Sequence, residues 1–147
     1  MSTIAPDVLD HLRASVWPAL ESSLGLPRGI LEAISYWETR GAFDDKTSRA
    51  GARGIFQLTP IALAQIKKDA LIAVDPSNPY QASYGAAFLL ARYFRLFQGL
   101  PPLAIAAYNA GEGTIKKFIR DVAAQGQGFL SYETRDYIRN VLPMIRG

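Results

Sequence analysis

Glu38 is the side chain of this 147-residue chain that is best placed to transfer a proton. It ends an apolar helical pattern together with Thr39, and it lies four residues after Ile34 on the same helical face. A carboxyl group on an apolar face loses the solvation of its charged form, so its pKa rises. Glu38 is therefore a candidate general acid near neutral pH. The alternative is an exposed carboxylate at the fringe of a helix end.

A turn with the sequence Gly-Ile-Phe-Gln, at residues 54–57, leads from a polar loop into the next helical pattern. Gly51 and Gly54, three residues apart, indicate a close backbone approach or positive φ angles. The side-chain amide of Gln57 both donates and accepts hydrogen bonds, which suits the hydroxyl and amide groups of a ligand. The alternative is an ordinary transition from a loop into a helix.

Two further segments each place a pair of polar side chains on a helix. Tyr108 and Asn109 end a short helix of small residues before Gly111, so that a ligand can approach them closely. Glu133 and Tyr137 are four residues apart, so they share a helical face and can both hydrogen-bond inward. The alternatives are a core tyrosine with a capping asparagine, and a glutamate that complements the positive end of its helix.

The elements that carry these side chains are predicted to be α-helices. Apolar residues recur at helical spacing, no stretch alternates strictly, and clusters of Gly and Pro separate the periodic stretches. We expect Asp7 and Thr59 to be N-caps, and Pro18 to kink or shorten the first helix. The expected helices are 7–24, 27–39, 60–73, 80–98, 103–110, about 115–125 and 131–145. The prediction is one all-α domain over residues 1–147, with a short irregular hairpin left open between Arg40 and Gln57.

The composition excludes several kinds of site. The chain has no cysteine and one histidine, His11, which rules out disulfide scaffolds, Cys-ligated metals, thiol nucleophiles and multi-His metal sites. Lys and Arg total 16 against 13 Asp and Glu, for a net charge of +3. This small excess favours anionic partners without choosing among them.

Taken in order, the four segments resemble the motifs of the soluble lytic transglycosylase (SLT) family, whose catalytic domain has an all-α fold like that of goose-type lysozyme. The family has Glu-Ser at a helix end, a Gly-Leu-Met-Gln turn, an Ala-Tyr-Asn-Ala-Gly helix end and a Glu-Thr-x-x-Tyr-Val helix. The matching positions are 38–39, 54–57, 107–111 and 133–138, and the resemblance covers residues 27–142. Thr39 replaces the family's Ser, Phe56 replaces its Met, and the loop between Glu38 and Gln57 is slightly longer.

The resemblance implies a peptidoglycan lytic transglycosylase that works through one carboxyl group. Glu38 would protonate the glycosidic oxygen between N-acetylmuramic acid and N-acetylglucosamine, while the muramoyl 2-acetamido group assists from within the substrate. Glu38 would then take the proton of the muramoyl 6-hydroxyl group, which closes a 1,6-anhydro ring without consuming water. No cofactor and no metal are implied.

The resemblance also assigns roles to the other site residues. Tyr137 would orient Glu38 through its hydroxyl group, Glu133 would brace its helix or a nearby backbone amide, and Thr39 would keep the hydroxyl of the family's Ser. Trp37 and Phe56 either stack on a sugar or fill the core, and the core is favoured for Trp37. The residues implied to bind the sugar are Phe56, Gln57, Tyr108 and Asn109.

Two alternatives to this function stay open. The first is a lysozyme-type muramidase on the same fold, in which Asp44 or Asp45, in the loop after Glu38, supplies the second carboxylate that hydrolysis needs. The second is a non-catalytic wall-binding module that kept the fold. The presence of both Glu38 and Tyr137 argues against it, because a decayed enzyme is expected to have lost one of them.

The expected partner is the glycan strand of peptidoglycan, bound by a monomer. No nucleic-acid partner is expected because the arginines are dispersed, and no membrane span because the most apolar stretch, 85–91, is far shorter than the roughly 20 residues required. The start of the chain carries Asp7 and Asp10 and no signal-peptide pattern. We therefore expect action in the periplasm or cell wall, by a phage lysis enzyme or virion component, or by a piece of a longer secreted protein.

Overall fold

The computed structural model describes residues 3–146, so residues 1, 2 and 147 of the predicted domain lie outside the described part. The described chain is mainly helical, which confirms the all-α prediction. Within it, no helix is long and apolar enough to cross a bilayer. The helices are α1 (Pro6–His11), a π-helical turn (Leu12–Val16), α2 (Trp17–Leu24), α3 (Ile30–Thr39), α4 (Pro60–Ala70), α5 (Pro79–Leu96), α6 (Pro101–Ala110), α7 (Glu112–Gln125), α8 (Tyr132–Val141) and a 3₁₀ turn (Leu142–Met144).

The first helical stretch runs without a break from α1 through the π-helical turn into α2. Pro18 does not end it, because the wider turn just before the proline accommodates a residue that has no backbone N–H to donate. The prediction of Asp7 as N-cap is wrong. Ala5 holds that position, Pro6 takes the first helical position that prolines favour, and Asp7 lies in the first turn.

A buried carboxylate from another helix fixes the start of α3. The Glu21 side chain of α2 accepts hydrogen bonds from the backbone amides of Gly29 (3.2 Å) and Leu31 (3.0 Å), two donors that the helix itself leaves without partners. Gly29 has a positive φ of 87°. The helix therefore begins at Ile30 and not at the predicted residue 27.

Other helix ends follow local backbone chemistry. Thr59 caps α4 as predicted, since its hydroxyl oxygen accepts a hydrogen bond from the amide of Ala62 at 3.1 Å. That helix stops at Ala70, three residues before the predicted end, because Leu71 adopts a left-handed conformation (φ 59°). Helix α6 begins earlier than expected, at Pro101. A proline is tolerated there because the first turn of a helix needs no internal N–H bond.

Helix α5 is the centre of the core. It is buried along much of its length and packs against α2, α3, α4 and α6. Helix α6, built of small buried residues, packs in turn against α5, α7 and α8, and α8 also contacts α3. This arrangement brings together the C-terminal end of α3, the C-terminal end of α6 and the exposed side of α8.

The loop between α3 and α4 folds back on itself without forming a regular strand. Arg53 makes isolated antiparallel bridges to Thr47 and Leu58. Among the described residues, these bridges are the part of the possible hairpin between Arg40 and Gln57 that forms. Gly54 has a φ of 81°, and a Cβ atom there would overlap the carbonyl oxygen of Pro76. Glycine is therefore required at this position, where the loop approaches the turn before α5.

Candidate active site

Glu38 lies in the last turn of α3, and the side chain of Thr39 joins this turn to the loop that follows it. The hydroxyl of Thr39 donates to the carbonyl of Ser35 at 2.8 Å and accepts from the amide of Phe43 at 2.9 Å. Thr39 is buried, so both bonds are shielded from water. The Glu38 side chain points into a cavity of about 230 Å³. The residues lining it are Trp37, Glu38, Arg40, Lys46, Ser48, Gln57, Asn109, Glu133, Asp136, Tyr137 and Asn140.

Tyr137 on α8 reaches the carboxyl group of Glu38 directly. Its hydroxyl donates a hydrogen bond of 2.7 Å to Glu38 Oε2, across 99 residues of sequence. Burial raises the pKa of Tyr137 well above its ordinary value, so the phenol keeps its proton and remains a donor. The packing of α8 on α3 thus fixes one oxygen of the carboxyl group and leaves the other, Oε1, to carry a proton.

The surroundings of Glu38 raise its pKa from the ordinary value of 4.5 to about 7. The largest cause is burial, which disfavours the charged form. The hydrogen bond from Tyr137 and the positive charges of Lys46 and Arg40 lower the pKa, whereas the negative charge of Glu133 raises it. Burial outweighs the cations, so both protonation states are populated near neutral pH. A group of this kind can donate a proton and take one back.

Tyr108 and Phe56 are joined to each other. The Tyr108 hydroxyl donates a hydrogen bond of 2.7 Å to the backbone carbonyl of Phe56, and burial raises the pKa of Tyr108 well above its ordinary value. The Phe56 side chain is fully buried and meets the ring of Trp17 edge-on, at 5.9 Å between centroids. Of the two places left open for Phe56, a sugar-binding surface and the core, the structure has the side chain in the core, because the turn directs it there.

Gln57 is fixed by the fold of the preceding loop. Its side-chain NH₂ group donates to the carbonyls of Lys46 (2.9 Å) and Gly54 (3.0 Å), and its backbone has a φ of 49°. Because both acceptors belong to the loop, the amide oxygen is the part of Gln57 that remains for a ligand.

Asn109 is oriented by α8. Its Oδ1 atom accepts a hydrogen bond of 2.8 Å from the buried hydroxyl of Thr134, so its NH₂ group faces Glu133, at 3.5 Å from Oε1. Asn109 and Gln57 line both the Glu38 cavity and a second cavity of about 340 Å³ between α4 and α6. Tyr108 lines the second cavity. The two cavities therefore adjoin at these amide side chains.

Several residues that line the Glu38 cavity were not predicted from the sequence. Asp136 and Asn140 continue the helical face of Glu133 and Tyr137 at spacings of three and four, so that periodicity was a usable signal. Lys46 lies in a loop without period, and no pattern indicates it. The cavity residues that were not predicted are Arg40, Lys46, Ser48, Asp136 and Asn140.

Trp37 lies against the core as expected, whereas the two loop carboxylates lie away from the role that was open to them. Trp37 packs against the core, and it also lines the cavity, with its ring N–H directed at the sulfur of Met144 at 3.2 Å. Asp44 and Asp45 do not line the cavity. Asp45 instead lies 3.9 Å from Arg53, and the backbone at Asp44 bridges to Thr3.

Comparison with known proteins gives the following matches. The family model described as "Transglycosylase SLT domain" matches residues 16–128. Membrane-bound lytic murein transglycosylase D of Escherichia coli K12 is 32% identical over 111 residues, which cover 70% of this chain and 25% of the relative. The 70 kDa soluble lytic transglycosylase of Escherichia coli superposes with a TM-score of 0.75 at 24% identity, over 92% of this chain and 25% of that one.

An inactive mutant of the lytic transglycosylase Slt from Pseudomonas aeruginosa, with Glu replaced by Gln, is also similar in structure. It superposes with a TM-score of 0.72 at 26% identity, over 89% of this chain and 23% of that one. The chain spans about a quarter of the length of each of these relatives.

Proposed function

Because the chain belongs to the transglycosylase SLT domain family, we propose that it is a peptidoglycan lytic transglycosylase with Glu38 as its acid and base. The observation that carries the proposal is the Glu38 carboxyl group, which lies in an open cavity with a pKa of about 7 and a hydrogen bond from Tyr137. The names of the relatives, lytic murein transglycosylase D and lytic transglycosylase Slt, point to the same activity.

The first step is protonation of the glycosidic oxygen by Glu38. The Tyr137 hydroxyl bond occupies Oε2, so the transferable proton is carried on Oε1. The bond between the anomeric carbon of N-acetylmuramic acid and that oxygen breaks, and the N-acetylglucosamine leaves with a free hydroxyl group. The muramoyl 2-acetamido oxygen stabilises the anomeric carbon, so the protein needs no nucleophile of its own.

The second step returns the proton. The Glu38 carboxylate removes the proton of the muramoyl 6-hydroxyl group, whose oxygen bonds to the anomeric carbon and displaces the acetamido oxygen. The product is a 1,6-anhydro end, and Glu38 is again protonated. A pKa near 7 favours both directions of transfer, because neither protonation state is far from equilibrium at neutral pH.

The polar side chains beside Glu38 suit the binding of a glycan. The amide oxygen of Gln57 and the NH₂ group of Asn109 stand where the two cavities adjoin, and we assign them to sugar hydroxyl and acetamido groups. Tyr108 supports this wall through its bond to the Phe56 carbonyl, and the second cavity extends the groove for a neighbouring sugar. Thr39, Glu133 and Tyr137 position the site.

Hydrolysis is the competing outcome at the same cavity. Asp44 and Asp45 do not line it, but Glu133 and Asp136 do, and either carboxylate would have to activate water. The product distinguishes the two reactions, because hydrolysis leaves a reducing end whereas the transglycosylase leaves a 1,6-anhydro end that is lighter by one water.

The test is mass spectrometry of the fragments released from purified peptidoglycan by the parent protein and by Glu38→Gln. We expect 1,6-anhydro fragments from the parent, and a rate reduced by about 10²–10⁴-fold or more in the variant. Circular dichroism checks that the variant is folded. Reducing-end fragments would replace the proposal by a hydrolase. Binding to the wall without cleavage by the folded parent would indicate a wall-binding module.

The setting of the activity is part of the proposal. We place it at peptidoglycan in the periplasm or cell wall, with the chain acting as a monomer and one domain, either in a bacteriolytic phage protein such as an endolysin or virion component or in a longer secreted protein. Sedimentation velocity tests the monomer. Lysis of cells that produce the chain together with a phage holin, and no lysis without it, is the result expected of an endolysin.

A further inference from the structure

The loop after α3 places two cationic side chains, Arg40 and Lys46, on the wall of the Glu38 cavity. Along residues 3–146, neither cation forms an ion pair with a carboxylate. Both are near enough to Glu38 for their charges to lower its pKa. Glu38 is also the carboxyl group that the proposed reaction needs in its protonated form.

The surroundings of the two cations hold them at the cavity. The guanidinium group of Arg40 lies 5.8 Å from the ring centre of Trp37, in cation–π contact. The backbone carbonyl of Lys46 accepts hydrogen bonds from the amide of Gly54 (3.0 Å) and from the side chain of Gln57 (2.9 Å). These two bonds fix the backbone at Lys46, which limits the backbone entropy lost when a ligand binds to its side chain.

The part of the cavity wall that α8 provides is acidic, and its carboxylates already have partners. Glu133 lies 3.5 Å from the NH₂ group of Asn109, and Asp136 accepts a hydrogen bond of 3.2 Å from Asn140. The cavity thus has a cationic loop wall and an acidic α8 wall. A ligand with an anionic group is oriented by these charges, because the group is attracted to one wall and repelled by the other.

We propose that Arg40 and Lys46 bind a carboxylate carried by the muramoyl side chain of the substrate. The inference rests on the proposed function, and it names the part of the substrate that the loop wall recognises. Every muramoyl residue bears a lactyl ether. Its carboxyl group is free in peptide-free strands, whereas in peptide-bearing strands it is bound as an amide to a stem peptide with carboxylates of its own. Both sources present the same chemistry to the two cations.

This recognition selects muramoyl-containing strands over neutral polymers of N-acetylglucosamine, which offer the same acetamido groups but no carboxylate. It also fixes the direction of the strand, because the carboxylate has to lie on the loop side when the glycosidic oxygen reaches Glu38. Arg40 and Lys46 are thus residues of substrate specificity, separate from the proton transfer.

The test measures the dissociation constants of defined glycan strands with Glu38→Gln as the parent, so that the strands are not cleaved. Lys46→Met and Arg40→Gln are added to this parent, and Lys68→Met, on the exposed end of α4 outside both cavities, is the matched control. Three ligands are compared. These are peptide-bearing strands, peptide-free strands with free lactyl carboxylates, and peptide-free strands whose carboxyl groups are capped as methyl amides.

We expect each cavity variant to weaken binding of a carboxylate-bearing ligand about tenfold and to leave the capped strands unchanged. Weakening on the peptide-bearing strands identifies the stem peptide as the source, and weakening on the uncapped peptide-free strands identifies the lactyl group. Equal weakening on all three ligands, no weakening on any, or the same effect in Lys68→Met overturns the inference. Anhydro products are scored separately with Glu38 intact, so a failure of this inference is distinguished from a failure of the proposed function.

Discussion

Replacing Glu38 by Gln is expected to stabilise the folded protein at and above neutral pH. Folding raises the pKa of Glu38 from 4.5 to about 7. Below pH 4.5 the carboxyl group is neutral in both the folded and the unfolded state, so it does not change the free energy of unfolding with pH. As the pH rises towards 7, the unfolded chain releases the proton while the folded protein retains it, and the free energy of unfolding falls. Gln is neutral throughout and does not incur this loss.

The size of the effect follows from the shift of the pKa. At roughly 1.4 kcal/mol per pKa unit, the rise from 4.5 to about 7 costs about 3 kcal/mol of stability above pH 7. Gln retains an oxygen that can accept the hydrogen bond from Tyr137, so the substitution leaves that contact in place. For a domain of this length, the gain corresponds to a rise of roughly 10 °C in the melting temperature.

The measurement is urea unfolding of the parent and of Glu38→Gln from pH 4 to pH 8. The free energies of unfolding are expected to differ little at pH 4, and to diverge steadily until the difference reaches about 3 kcal/mol at pH 8. Glu32→Gln is the control for the loss of one negative charge on the same helix. Glu32 is paired at the surface with Arg13 at 3.2 Å, a contact worth less than about 1 kcal/mol.

A constant difference between the parent and Glu38→Gln over this pH range would refute the reasoning. It would mean that Glu38 has the same pKa in the folded and unfolded states, and that the cavity does not keep it protonated. The argument for Glu38 as a general acid near neutral pH would then lose its physical basis.

Three further predictions follow from individual contacts. Tyr137→Phe removes the hydrogen bond that lowers the pKa of Glu38, so the alkaline limb of the pH–rate profile should move to higher pH, and an unmoved limb would contradict the contact. Gly54→Ala should destabilise the fold by several kcal/mol in urea unfolding, because the new methyl group overlaps the Pro76 carbonyl at a positive φ, and a cost below about 1 kcal/mol would exclude that clash. Glu21→Ala should cost about 1–3 kcal/mol in the same assay, since one buried and one partly buried amide at the start of α3 lose their acceptor, whereas a neutral result would mean that water replaces it.

The sequence predicted those parts of the molecule that depend on local periodicity. The apolar repeats identify the helices, and the four motifs identify Glu38 and Tyr137, which the structure brings within 2.7 Å of each other. The residues at which the helices begin and end were harder to predict from the sequence. Glu21, which fixes the start of α3, reaches it from a different helix, and no pattern around Ile30 encodes that contact.

The side chains of the α3–α4 loop were the hardest to predict. The loop has no period, so nothing in the sequence indicates that Lys46 lines the cavity or that Asp45 does not. A motif does not predict where a side chain points, as Phe56 shows. Its position matches the family's turn, but its direction depends on the core around Trp17, and that core forms from residues far away in the chain.

The contact between Glu38 and Tyr137 also sets an order of events during synthesis. The ribosome makes the carboxyl group 99 residues before the hydroxyl group that binds it, a delay of roughly 5–20 s at ordinary rates of elongation. Until α8 docks, α3 exposes the side that α8 covers, and Glu38 lacks the hydrogen bond from Tyr137 and the burial that α8 provides. The site around Glu38 is therefore complete only when α8 is in place, and a nascent or truncated chain without α8 lacks the donor that orients the carboxyl group.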